Sequence, residues 1–213
     1  TLTPPLKTVE KHFSPITLRV DHTPRYNIAP TQEVPVVTAV NGPRELVVMK
    51  WGLVPPWSRD EKSGPRLINA RAETLEQKPS FRGSFKNKRC LIPADGFMEW
   101  KKNRNKIPFY ITLKSGEPFA FAGLWAEWKG TDRTLQTFTI ITTPANALLQ
   151  PLHDRMPLIL APRDYEAWLD PSTAPKDLRP LLVPFSADAL RVVEISPKIN
   201  SPHNDSPECL KEA

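Results

Sequence analysis

An α+β domain, with a mainly antiparallel, barrel-like sheet and short flanking helices, is the fold class the sequence predicts. Three observations carry that expectation. Short apolar or alternating runs recur along the chain between turn signals such as Asn41-Gly42, Asp95-Gly96 and Ser115-Gly116, the pattern of successive hairpins. Proline supplies 25 of 213 residues, where a usual share is about 5%, so helices must be short. Only 8 glycines accompany them, so the connections read as shaped and stiff rather than as linkers. The length suits one domain, 1–213, ending in a polar tail from about 196.

The elements are taken in chain order. Leu6 to Phe13 fits one short helix. Arg25 to Pro30 is a compact polar-aromatic turn before a strand, Glu33 to Val40, which Asn41-Gly42 turns back into Glu45 to Trp51. Trp51 to Trp57 is stiffened by Pro55-Pro56 and reads either as a packed corner or as a shelf on which a base stacks. Past a polar loop, Ser58 to Arg66, the stretch Leu67 to Leu75 reads as a strand end entering a helix, with Asn69 and Arg71 on one side. Ser80 to Arg89 is basic and reads as a solvated face. Cys90 to Ile92 and Phe97 to Lys101 flank Asp95-Gly96 as two arms of a hairpin. After a polar turn, Asn103 to Lys106, come strands at Pro108 to Leu113, Phe119 to Trp128 and Leu135 to Thr142. Thr143 to Asn146 reads as the cap of a short helix into Leu149. Leu158 to Leu160 is a buried strand, Arg163 to Leu169 and Leu178 to Leu182 are short helices, and Leu190 to Ile195 is a last strand.

Composition narrows the function classes. Net charge is +6 with 29 basic and 23 acidic residues, which permits a polyanion partner without demanding one. No apolar run approaches the 18 residues of a membrane span, and no basic-then-apolar leader is visible. Two cysteines, Cys90 and Cys209, offer no disulfide framework, so a reducing compartment is expected. CxxC pairs, HExxH, GxxxxGK and GxSxG are all missing, which leaves metal, phosphate-loop and nucleophile-elbow chemistry without support.

Two stretches carry candidate chemistry. On a strand, Phe97, Glu99 and Lys101 point one way and Met98 and Trp100 the other. Glu99 between bulky neighbours reads as a partly desolvated carboxylate whose pKa rises toward proton-transfer range, or as a strand glutamate facing water. His153 lies in Pro151 to Pro157, held by Asp154, Arg155 and two prolines ahead of a buried strand.

Four stretches together, Arg25-Tyr26-Asn27-Ile28-Ala29-Pro30, Ile68-Asn69-Ala70-Arg71-Ala72-Glu73-Thr74, Pro93 to Lys101 and His153-Asp154-Arg155-Met156-Pro157, resemble the SOS response-associated peptidase (SRAP) family over most of the chain. The resemblance implies a protein that shields abasic sites in single-stranded DNA. It removes its own initiator methionine from a Met-Cys-Gly-Arg-Phe start, and the exposed cysteine closes a thiazolidine ring on the sugar aldehyde. Thr1-Leu2-Thr3 matches the residues that commonly come next after that start, so the nucleophile is expected upstream of Thr1. Cys90 and Cys209 have no free α-amine and cannot replace it. By the same resemblance Glu99 is the general acid/base, His153 exchanges a proton with the sugar oxygen, and Asn69 holds the cysteine. Arg71 and Arg155 grip flanking phosphates, and Trp57 with the turn Asn27 to Pro30 walls the pocket. The expected partner is single-stranded DNA with abasic sites, bound by a monomer without metal or cofactor, in the cytoplasm and on the nucleoid if the source is prokaryotic. Two other readings stay open: a non-catalytic single-stranded nucleic-acid-binding module, and a peptidase that cleaves other proteins with a Glu–His pair.

Overall fold

The computed structural model describes residues 1–39, 42–62, 67–101 and 106–213. Residues 40–41, 63–66 and 102–105 lie outside them, so two of the expected turns and one loop end are not described. Among the described residues are twelve strands and four short α-helices. In order, the first half holds α1 (Leu6–Phe13), β1 (Ile16–Leu18), β2 (Glu33–Thr38), β3 (Arg44–Trp51), β4 (Asn69–Arg71), α2 (Pro79–Asn87), β5 (Arg89–Ala94) and β6 (Phe97–Trp100). The second half holds β7 (Pro108–Leu113), β8 (Phe119–Lys129), β9 (Thr134–Pro144), β10 (Arg155–Pro157), β11 (Ile159–Leu160), α3 (Tyr165–Leu169), α4 (Pro175–Leu178) and β12 (Leu190–Glu194).

The sheet is mixed and mostly antiparallel. Five strands close a ring, β3–β2–β5–β8–β9 and back to β3, the last contact being parallel at Lys50–Thr137 and Trp51–Phe138. Strand alternation then sorts the side chains. Cys90 and Ile92 join Val36, Met49, Trp125 and Phe138 in one cluster, whereas Leu91 between them joins Val37, Leu46 and Leu124 in another. The second cluster is where the helices dock, through Val9 and Phe13 of α1, Phe85 of α2 and Trp168 of α3. A second, three-stranded sheet, β12–β7–β6, packs Phe97, Ile111 and Leu190 onto the first cluster.

Four expectations need correction. Asp95-Gly96 does not close a hairpin: β5 pairs with β2 and β8, β6 pairs with β7, and the dipeptide carries the chain from one sheet to the other. Arg89, expected on a solvated face, is 3% exposed. Its guanidinium donates to backbone carbonyls of Trp168 (2.6 Å), Phe85 (2.7 Å), Lys86 (2.8 Å), Thr173 (3.3 Å) and Asp170. Thr143 and Pro144 are the end of β9, and residues 147–152 form turns rather than the expected short helix into Leu149. Asn146 Oδ1 accepts from the Leu149 amide at 3.0 Å, but Pro151 has no N–H with which to continue. Finally, the polar tail expected from Ser196 to Ala213 is packed onto the domain. Ile195, Ile199 and Cys209 form a small buried cluster, and Ile195 bridges Glu212.

Candidate active site

The chain start is clamped by the corner between the two sheets. Leu2 is fully buried and exchanges two 2.9 Å backbone hydrogen bonds with Arg25. Thr1 donates its amine to Gly96 O at 2.9 Å and its hydroxyl to Asp95 Oδ1 at 2.7 Å, and its hydroxyl also lies 2.9 Å from Tyr110 OH. Asp95 takes the Thr3 hydroxyl and amide as well. Gly96 is required by close approach: a Cβ there would sit 2.3 Å from the Tyr110 ring.

A cavity of about 420 Å³ opens beside Thr1 at one mouth of the ring. Asn69, Glu99 and His153, far apart in sequence, all line it. Asn69 stands on the exposed side of β4, held in register by Ile140 of β9, and among the described residues its side chain has no hydrogen-bond partner. Glu99 is half-buried on β6 opposite Phe109. His153 comes just after the Asn146 turn. Its Nδ1 accepts the Arg155 amide at 3.0 Å and lies 3.3 Å from Asp154 Oδ1. A neutral ring with Nδ1 as acceptor carries its proton on Nε2. A protonated ring finds the Asp154 carboxylate and Arg155 O (3.2 Å) as partners for Nδ1–H.

The five residues expected at DNA are placed differently from one another. Asn27, Pro30 and Arg155 line the cavity; Trp57 and Arg71 do not. Trp57 is 66% exposed, beyond the Pro55-Pro56 corner. It is Trp51 that walls the cavity, stacked on Phe138 with its indole donating to Ile68 O at 2.9 Å. Arg71 is exposed, on the same side of β4 as Asn69. Asn27 is buried, and its amide nitrogen donates to Ile199, Ser201 and Asn204 carbonyls at 3.1, 2.9 and 3.0 Å. Arg155 is held by both Glu73 carboxylate oxygens, at 2.5 and 2.9 Å.

Several lining residues escaped sequence reasoning. Trp100 lines the cavity with its indole on Asn200 Oδ1 at 2.6 Å. Asn200 and Pro202 line it from the C-terminal segment, which Asp205 ties down through Arg25 and the Tyr26 and Asn27 amides. Burial would raise the Asp205 carboxyl, but those donors outweigh it and hold it below 3.8. Nothing local in the sequence marks this return of the chain; the density of prolines was the one available hint of fixed geometry. Among the described residues no cluster of His, Cys, Asp or Glu has the arrangement to hold a metal, and no helix is long and apolar enough to cross a membrane.

The fold is thus a five-stranded ring beside a cavity lined by Thr1, Asn69, Glu99 and His153. The chain belongs to the SOS response associated peptidase (SRAP) family, whose model matches residues 1–202. It is 46% identical over 195 residues to the abasic site processing protein YoqW of Bacillus subtilis (strain 168), covering 90% of this chain and 87% of that one. To the abasic site processing protein HMCES of Xenopus tropicalis it is 31% identical over 221 residues, covering 88% of this chain and 65% of that one. Among solved structures, a protein from Bacteroides thetaiotaomicron superposes with a TM-score of 0.86 at 30% identity, over 100% of this chain and 97% of that one.

Proposed function

We propose that this chain binds abasic sites in single-stranded DNA and captures them covalently, through a cysteine-bearing amino terminus ahead of Thr1. The observation that supports this reading is the convergence of Asn69, Glu99 and His153 on the cavity that Thr1 borders. An extended residue spans about 3.3 Å. A cysteine four positions ahead of Thr1 therefore reaches roughly 13 Å, enough to cross that cavity.

The chemistry fits those three side chains. The abasic sugar must open to its aldehyde, and His153 carries the proton to and from the ring oxygen. The neutral cysteine amine adds to the aldehyde carbon, and the carbinolamine loses water to give an imine. Glu99 supplies and then removes the proton in that step. The thiol adds to the imine carbon, its proton passes to nitrogen, and the thiazolidine closes. Asn69, a neutral donor and acceptor, holds the cysteine without changing the charge of the site. Glu99 also serves as general acid/base in methionine removal, and Arg71 offers an exposed cation to a flanking phosphate.

The test is Glu99→Ala in a chain given Cys-Gly-Arg-Phe ahead of Thr1, with the cysteine amine already exposed. Crosslinking to an abasic oligonucleotide should slow by about 100-fold or more, with affinity for that oligonucleotide little changed. A non-catalytic binding module would attach DNA equally well with and without Glu99, and that result would remove the proposed role.

A further inference from the structure

The first residues reach the cavity as an extended stretch with alternating side chains. Leu2 is buried in the core, whereas Thr1 and Thr3, two positions apart, turn together onto one carboxylate. Asp95 Oδ1 accepts from the Thr1 hydroxyl at 2.7 Å and from the Thr3 amide at 3.2 Å, and Oδ2 accepts from the Thr3 hydroxyl. The backbone repeats the grip: Thr1 N donates to Gly96 O at 2.9 Å, and the Asp95 amide donates to Thr1 O at 3.3 Å. Tyr110 OH lies 2.9 Å from the Thr1 hydroxyl. With the Thr1 hydrogen spent on Asp95, Tyr110 is the donor in that contact. Burial, and after it the Asp95 charge, keep the phenol protonated for this task.

These partners belong to the strand pair that carries Glu99. Asp95-Gly96 leads directly into β6, and Tyr110 of β7 is paired with Met98, the neighbour of Glu99. The Leu2–Arg25 backbone pair holds the other edge of the segment. The root of the amino segment is therefore registered against the frame of Glu99, not merely tethered near it. That matters for a tail of four residues, which reaches roughly 13 Å and would otherwise sweep much of the cavity. A reacting group misplaced by about 1 Å can lose on the order of 100-fold in rate.

We propose that Asp95 is a positioning residue for the amino-terminal nucleophile: by gathering Thr1 and Thr3 it aims the residues ahead of Thr1 at the space beside Glu99. The functional half of the proposal rests on the capture reading; the anchoring half stands without it.

The test uses chains given Cys-Gly-Arg-Phe ahead of Thr1: the parent, Asp95→Asn, Thr3→Val, Thr3→Ser, and Asp95→Asn combined with Thr3→Val. At saturating abasic oligonucleotide, Asp95→Asn and Thr3→Val should each crosslink roughly 10-fold more slowly, with affinity within about twofold of the parent. Thr3→Ser, which keeps the hydroxyl, should recover most of the rate. The combined variant should be no slower than Asp95→Asn alone, because both changes cut the same contact. Amide exchange should lose protection at Leu2 and Thr3 in Asp95→Asn while the ring strands keep theirs. Unchanged saturating rates in both single variants overturn the proposal, and so does a loss confined to affinity. Protection lost equally from the ring strands overturns it too, since Asp95 would then be a general stabiliser. Should Asp95→Asn fail to fold, the comparison of Thr3→Val with Thr3→Ser decides: equal rates overturn the proposal, and a slow valine with a fast serine supports it. Local loss of protection in Asp95→Asn, with no crosslink even from the parent, supports the anchoring and overturns the capture reading instead.

Discussion

Single residues hold the site through close contacts that leave little room for substitution. Gly96→Ala puts a methyl group where the Tyr110 ring lies, 2.3 Å from its Cε2. The ring must move, breaking its contact with the Thr1 hydroxyl. We expect a loss of about 1–3 kcal/mol in thermal or denaturant unfolding, together with slower crosslinking. Unchanged stability would mean that the corner is softer than its packing indicates. Arg89 gives a harsher case. Removing its guanidinium leaves five carbonyls near Trp168 and Asp170 without a donor, so Arg89→Met should cost roughly 3 kcal/mol or more without touching the cavity. A chemical-denaturation midpoint close to that of the parent would contradict this. Neither role was legible in sequence. Arg89 ends a run of basic residues and looks like its neighbours until the fold buries it. Gly96 reads as a turn glycine, and only the return of Tyr110 from another strand explains it.

At the scale of elements, the sequence was most legible where local patterning decides. Leu6–Phe13, Pro108–Leu113 and the strand around Phe119 form where the apolar spacing put them. It misled where tertiary partners decide. Asp95-Gly96 carries the strongest local hairpin signal in the chain, yet the Asp95 carboxylate is taken up by Thr1 and Thr3, and β5 finds β2 and β8 instead. The C-terminal segment is the larger surprise, since a polar, proline-rich stretch gives no periodicity to read. Its attachment makes a pH-dependent prediction. The Asp205 carboxyl is held below 3.8 in the folded chain, so its contribution is complete above that value and is lost as pH falls through the lower folded value. Hydrogen-exchange protection, taken relative to the intrinsic rate at each pH, should therefore be lost in residues 196–213 in acid before it is lost in the ring strands, and Asp205→Asn should show the same loosening at neutral pH. Simultaneous opening of both regions would argue against a separately held segment.

On the scale of the whole molecule, a closed ring provides rigid walls, and a second sheet, an amino end and a returning C-terminal segment meet at its mouth. Such a site is assembled from pieces distant in sequence, which is why single motifs suggested chemistry while only the four stretches together suggested a family. The +6 net charge belongs to this scale too. Binding of abasic single-stranded DNA should weaken with salt, and Arg71→Ala should lower the slope of log K against log salt by about 0.7, one phosphate contact. An unchanged slope would place the phosphate contacts elsewhere. Covalent capture by the amino terminus is the claim most directly open to test. Chains beginning Met-Cys-Gly-Arg-Phe-Thr1 and chains beginning at Thr1 should be incubated with the same abasic oligonucleotide and run under denaturing conditions. The expected result is a shifted band for the first and none for the second, despite measurable binding by both. A shifted band that persists when the cysteine is replaced by alanine, or no band from either chain, would contradict it.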